Sequence, residues 1–142
     1  MRKLGIDFGT KTCGFAISDS KNLMATGLIS FSYDKNNYML IIQKIKQILN
    51  NYNNEIDEIV IGYPTMTISG SKTKTSLLID KFINLINIHI VNIKVIKWNE
   101  NYSTKMANDY LIQFEIKASK RKKIIDMVSA TFILQSYLDS LK

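Results

Sequence analysis

The chain has 142 residues, 46% of them hydrophobic, which suits one domain with a buried core. Nineteen Lys and Arg against twelve Asp and Glu give a formal charge of +7, which favours an anionic partner such as nucleic acid, although an Ile-, Lys- and Asn-rich composition produces the same excess. A lone cysteine, Cys13, excludes an internal disulfide, the basic start is interrupted by Asp7 as no signal peptide is, and no run reaches the roughly 20 apolar residues of a membrane span, so a soluble cytoplasmic protein without a membrane partner is expected.

Five of the six glycines fall at or before Gly62, and turns therefore cluster early. Leu4 to Phe8, Phe15 to Ser18 and Thr26 to Ser32 are short β-type runs, with Gly9-Thr10-Lys11-Thr12 turning the first back on itself. Leu40, Ile41, Ile45, Ile48 and Leu49 recur at helical spacing from Tyr38, and the Asn-rich stretch after Leu49 ends that helix. Ile59-Val60-Ile61, closed by Gly62 and Pro64, fits a strand buried on both faces. A Ser/Thr-rich loop over 65–76 leads to a second helical pattern through Leu77, Leu78, Phe82, Leu85 and Ile86. Ile93 to Trp98 is another strand, Ser103 or Thr104 caps a helix to about Phe114, and Ser119 caps the last one. That last helix is expected to bury Ile125, Val128, Phe132 and Ile133, with Leu134 and Leu138 at the margin. Three hairpin-linked strands followed by helix, strand, helix, strand and two helices predict a single α/β domain over residues 1–142, with a mixed five-stranded sheet and helices on both faces.

Asp34, Glu55, Asp57, Glu58, Asp80, Glu115 and Asp139 lie in polar contexts and read as solvated. Three acids do not. Asp7 stands between Ile6 and Phe8, Glu100 follows the strand ending at Trp98, and Asp126 sits among Ile124, Ile125, Met127 and Val128. A buried carboxylate is costly without a cationic partner. The sheet topology can bring these three segments to one rim, where Asp7, Glu100 and Asp126 would hold a hard cation by oxygen ligands. Two such ions, Mg²⁺ or Mn²⁺, would suit phosphodiester hydrolysis. A run of Lys120, Arg121, Lys122 and Lys123 one turn ahead of Asp126 and a Ser69-Gly70-Ser71 turn are the candidate phosphate contacts. Taken singly, each has an ordinary reading: Asp7 as a turn carboxylate, Glu100 as a loop acid, the basic run as a solvated helix end. His89, Trp98 and Cys13 read as structural.

With these residues in view, the sequence resembles the YqgF/RuvX family, the Holliday junction resolvase or pre-16S rRNA nuclease group with a ribonuclease H-like fold. The likeness is carried by Gly5-Ile6-Asp7-Phe8-Gly9-Thr10-Lys11 with Gly14; Ile61-Gly62-Tyr63-Pro64; Trp98-Asn99-Glu100 with Ser103-Thr104; and Lys122-Lys123-Ile124-Ile125-Asp126 with Ala130 and Ile133 to Asp139. It implies that Asp7, Glu100 and Asp126 are the catalytic, metal-binding acids, and that Lys11, Ser71 and Lys120 to Lys123 contact nucleic acid. The family shows Arg where this chain has Thr12, Asp-Glu-Arg where it has Asn99-Glu100-Asn101, and a different loop after Pro64. The expected function is a metal-dependent endonuclease acting on structured nucleic acid, either pre-rRNA or branched DNA, as a monomer or homodimer. The alternative is a nucleic-acid-binding module of the same fold whose catalysis is weakened by those departures. Asp7-x-Gly9-Thr10 also resembles the first phosphate loop of the actin and sugar kinase superfamily, but those proteins close two such domains around ATP.

Overall fold

The computed structural model describes residues 1–64, 73–100 and 103–142. Three strands, β1 (Arg2–Phe8), β2 (Thr12–Ser18) and β3 (Ala25–Ser32), form an antiparallel meander. Helix α1 (Tyr38–Asn51) crosses to β4 (Ile56–Tyr63), helix α2 (Lys74–His89) crosses to β5 (Lys94–Asn99), and helices α3 (Ser103–Gln113) and α4 (Ala118–Ser140) close the chain. The sheet order is β3-β2-β1-β4-β5, with β4 parallel to both of its neighbours. This is the mixed five-stranded α/β sheet expected from the order of the elements.

Side chains alternate across a strand, and the two faces of this sheet are built from different residue sizes. Leu4, Ile6, Phe8, Cys13, Phe15, Ile59 and Ile61 point to one face and join the buried residues of α1 and α2 in the larger core. The opposite face carries Gly5, Gly14, Ala16, Val60 and Gly62, and α4 lies on it through Ala130, Ile133, Leu134, Tyr137 and Leu138. Small residues on the sheet let the helix approach closely. A Cβ on Gly5 would stand 2.8 Å from the Leu134 Cβ, and one on Gly62 would stand 2.5 Å from the Ile133 Cδ1.

This close approach corrects two expectations for the last helix. Its buried face is Ser129, Ala130, Ile133, Leu134, Tyr137 and Leu138, while Ile125, Val128 and Phe132 are only partly covered. The glycine floor makes room for Leu134 and Ile133 to seat against the sheet, and Phe132, on another side of the helix, turns outward and meets Tyr110 of α3 edge-on at 5.8 Å. The helix starts after Lys117, which makes no side-chain cap bond, so Ser119 is not the cap. The Ser103 or Thr104 cap falls on side chains outside the described residues.

Of the acids read as solvated, Asp57, Glu58 and Asp80 are in fact engaged by residues distant in the chain, Asp57 accepting from Lys3 at 2.8 Å. Glu58 accepts from the Tyr137 hydroxyl at 2.8 Å and pairs with the buried Lys3 at 3.2 Å. Asp80 pairs with Lys97 at 2.9 Å and accepts from the Tyr63 hydroxyl at 3.1 Å. Trp98 packs edge-on against Tyr137 and Cys13 is wholly buried, in keeping with structural roles. Among the described residues no helix is long and apolar enough to cross a membrane.

Candidate active site

The carboxyl ends of β1, β4 and β5 lie side by side, and each expected acid arrives at that rim by a different route. Asp7 is the penultimate residue of β1 and stands opposite Gly14 of β2. Gly14 has no side chain because the main chain of Asp126 occupies the space: a Cβ there would lie 1.8 Å from the Asp126 carbonyl oxygen. Asp126, two turns into α4, is thereby held over the Asp7–Gly14 pair. Glu100 follows β5 directly, its N–H bonds the Tyr63 carbonyl at 3.2 Å, and its Cβ lies 3.6 Å from the position a Cβ on Gly62 would take.

The electrostatics agree with this convergence. The Asp7 carboxyl is pushed up to about 8, first by burial and then by the negative charges of Asp126 and Glu100; the Ser129 hydroxyl bonded to it pulls the other way. Burial also raises Glu100. The Cys13 thiol is raised well above its ordinary range by burial, with Asp7 and Asp126 adding to the effect. Carboxylates that repel one another while partly out of water need positive charge to ionise together.

Two hydroxyls that sequence reasoning did not single out hold these acids. Thr12 Oγ1 donates to Asp126 Oδ2, and the fully buried Ser129 bonds Asp7. Thr12 lies two residues before Gly14 and so on the same sheet face, and Ser129 lies one helical turn beyond Asp126, which are the signals that could have found them. Of the expected phosphate contacts, Lys11 is exposed on the β1–β2 turn and Lys120, Lys122 and Lys123 are exposed on the first turns of α4. Arg121 is half-buried and donates to the Ile116 carbonyl at 2.8 Å. Ser71 lies outside the described residues.

A family model described as RuvX, Holliday junction resolvase, matches residues 1–140. The chain belongs to this family. A relative in Ureaplasma parvum serovar 3, named "Putative pre-16S rRNA nuclease", is 46% identical over 141 residues, covering 97% of this chain and 96% of its own. A second protein of that name, in Mycoplasmopsis synoviae, is 48% identical over 147 aligned positions and both chains are covered in full. Among solved structures, the Fowlpox virus resolvase in complex with Holliday junction DNA aligns with a TM-score of 0.60 at 22% identity over 99% of each chain. The Thermus thermophilus RuvC complex with a Holliday junction aligns with a TM-score of 0.59 at 12% identity, over 99% of this chain and 95% of that one. The fold of this RuvX chain is ribonuclease H-like.

The donor set of the candidate site suits a hard divalent cation, since every candidate ligand is a carboxylate oxygen and, among the described residues, no cationic side chain eases the ionisation of Asp7. Among the described residues no group of three or more His, Cys, Asp or Glu side chains is gathered tightly enough to cage an ion by protein atoms alone. Mg²⁺ commonly takes one or two carboxylates and completes its shell with water and substrate phosphate. The rim fits that open form of binding and not a closed structural cage.

Proposed function

We propose that this chain is a metal-dependent endonuclease that hydrolyses phosphodiester bonds in structured nucleic acid, either pre-rRNA or branched DNA. The single observation that carries this reading is Asp7: a largely buried carboxyl on a strand, flanked by two further acids from distant segments, with a serine hydroxyl and no cation among the described residues to ease its ionisation. Asp7, Glu100 and Asp126 would hold Mg²⁺ or Mn²⁺, and the bound ions would supply an activated water and charge stabilisation for the leaving oxygen. The chain's own part is to fix the geometry. Ser129 and Thr12 orient Asp7 and Asp126, the rigid β1–β2 ladder fixes the distance between strand and helix, and the exposed Lys11, Lys122 and Lys123 draw the phosphate backbone toward the rim. The names and folds of the relatives support the same class of chemistry.

The test is cleavage of matched RNA and four-way DNA substrates with Mg²⁺, Mn²⁺ or chelator, beside Asp7→Asn. Metal-dependent product that Asp7→Asn abolishes is expected; an Asp7→Asn protein that cuts like the wild type would refute the assignment. One observation favours a second reading, a binding domain with weakened catalysis: the Thr12 hydroxyl occupies an oxygen of Asp126 that a cation would share. That reading requires salt-sensitive binding with no product in either metal.

A further inference from the structure

We propose that Tyr110 of α3 and Phe114, in the turn that follows it, with the groove beside α4, form a stacking platform for unpaired nucleotides that lead into the carboxylate rim. The nucleic acid served by this site would therefore carry a single-stranded segment next to the scissile bond. This inference rests on the nuclease reading for its direction, but its test does not require cleavage.

Both rings are exposed, Tyr110 by 47% and Phe114 by 59%, although side chains of this size normally gain most by burial. They are also ordered relative to one another. Their centroids are 4.8 Å apart, and Tyr110 is braced edge-on by Phe132 of α4 at 5.8 Å. The corner that sets α3 against α4 is fixed by the Arg121 guanidinium, which donates to the Ile116 carbonyl, and by the Ile116 N–H, which returns to the Leu111 carbonyl. Next to Tyr110 lies an apolar groove of about 360 Å³ floored by Gly27 and walled by Met127, Thr131 and Phe132. A preorganised aromatic pair beside an apolar groove of that size can take the flat face of a base.

Charge decides between possible occupants. Lys120 and Lys123 precede Met127 by seven and four residues, so they continue the same face of α4 that walls the groove. Both are exposed, and neither enters an ion pair among the described residues. Asp126 is the next residue round the helix from Met127. Along α4 Asp126 thus lies between Lys123 and the groove-lining Met127, so ammonium groups, a carboxylate and π-faces sit on adjoining turns of one helix, and a strand whose bases reach the groove brings its phosphates past Asp126 and the lysines. An acidic or apolar protein partner accounts for part of this surface; a polyanion with flat apolar bases accounts for all of it. Bases in a duplex are already stacked on each other, so the platform rewards only unpaired ones, and it does so without reading sequence.

The experiment measures binding in chelator, so that no cleavage occurs, using a fluorescein-labelled single-stranded 12-mer and a blunt duplex of equal length. Wild type is expected to bind the single strand more tightly. Tyr110→Leu/Phe114→Leu keeps apolar bulk without rings and should lower single-strand affinity about tenfold while leaving duplex affinity unchanged. Lys120→Ala/Lys123→Ala should weaken both ligands and flatten the salt dependence. Unchanged single-strand binding in the leucine variant, equal loss for both ligands, or a change of its sedimentation coefficient that marks the patch as a contact between copies would each overturn the platform. A wild type that binds as expected but yields no product with metal would refute the nuclease reading and leave the platform standing.

Discussion

Gly14 of β2 lies directly beneath the main chain of Asp126, so close that the Asp126 carbonyl oxygen occupies the place of a β-carbon. The position of a candidate ligand on a helix is thus set by the absence of a side chain on a strand. Gly14→Ala must lift α4 off the sheet at its amino-terminal end and carry Asp126 away from Asp7. Overpacking of this kind costs about 1–3 kcal/mol, read as a lower urea midpoint. Leu138→Ala is the comparison, since it opens a cavity at the far end of the same helix, where Leu138 is fully buried, at a cost of about 2–5 kcal/mol. Below the unfolding range of both variants, cleavage should be lost in Gly14→Ala and retained in Leu138→Ala; equal activity in the two would show that the Gly14 contact does not position the site.

The Asp7 carboxyl should make the metal-free protein less stable as pH rises. Its value is 3.8 in the unfolded chain and about 8 in the fold. Between these limits the folded state keeps a proton that the unfolded state has released, so stability from this group is full below pH 4 and declines up to about pH 8. At about 1.4 kcal/mol per unit the loss is bounded by roughly 6 kcal/mol. Asp7→Asn removes the dependence, so the variant should exceed the wild type in stability by a margin that is large at pH 8 and much smaller at pH 5 in thermal melts with chelator. Mg²⁺ or Mn²⁺ should recover the wild type alone, by about 2.7 kcal/mol at a hundred times its dissociation constant. A wild type that melts identically at pH 5 and pH 8 would contradict the burial of this charge.

The strands, the mixed five-stranded sheet and the unusual settings of the three acids could be read from the sequence because they rest on signals of short range or fixed period. Apolar residues two apart mark Leu4, Ile6 and Phe8 as a strand, and a carboxylate on the other phase of that strand marks Asp7. The orientation of α4 was not legible. Its helical wheel has apolar residues on several sides, and the choice between Ile125-Val128-Phe132 and Ala130-Ile133-Leu134 depends on what the sheet presents. Only with Gly5, Gly14 and Gly62 placed on one face is there room for the Ala130-Ile133-Leu134 side to become the buried one. Glu58 and Asp80 escaped notice for a related reason, since their partners Lys3, Tyr137, Tyr63 and Lys97 lie far away in the chain. The two hydroxyls at the site could be read only after the register was known.

Thr12 offers the sharpest distinction between an active enzyme and a weakened binding domain. Its hydroxyl donates to one oxygen of Asp126, and a carboxylate oxygen has lone pairs for more than one partner. If the bond holds Asp126 in the orientation a cation needs, Thr12→Val should weaken Mn²⁺ binding about tenfold, the usual scale for losing an orienting hydrogen bond, and Thr12→Ser should restore it. If the bond instead withholds the oxygen, Thr12→Val should bind Mn²⁺ more tightly than wild type. Titration calorimetry on the folded proteins reads this directly and needs no substrate. The first outcome is expected, because the Thr12 hydroxyl is the side-chain contact that holds Asp126, and a freely rotating carboxylate there would turn toward water. Tighter binding in Thr12→Val would favour the binding-domain reading and make Thr12 its cause.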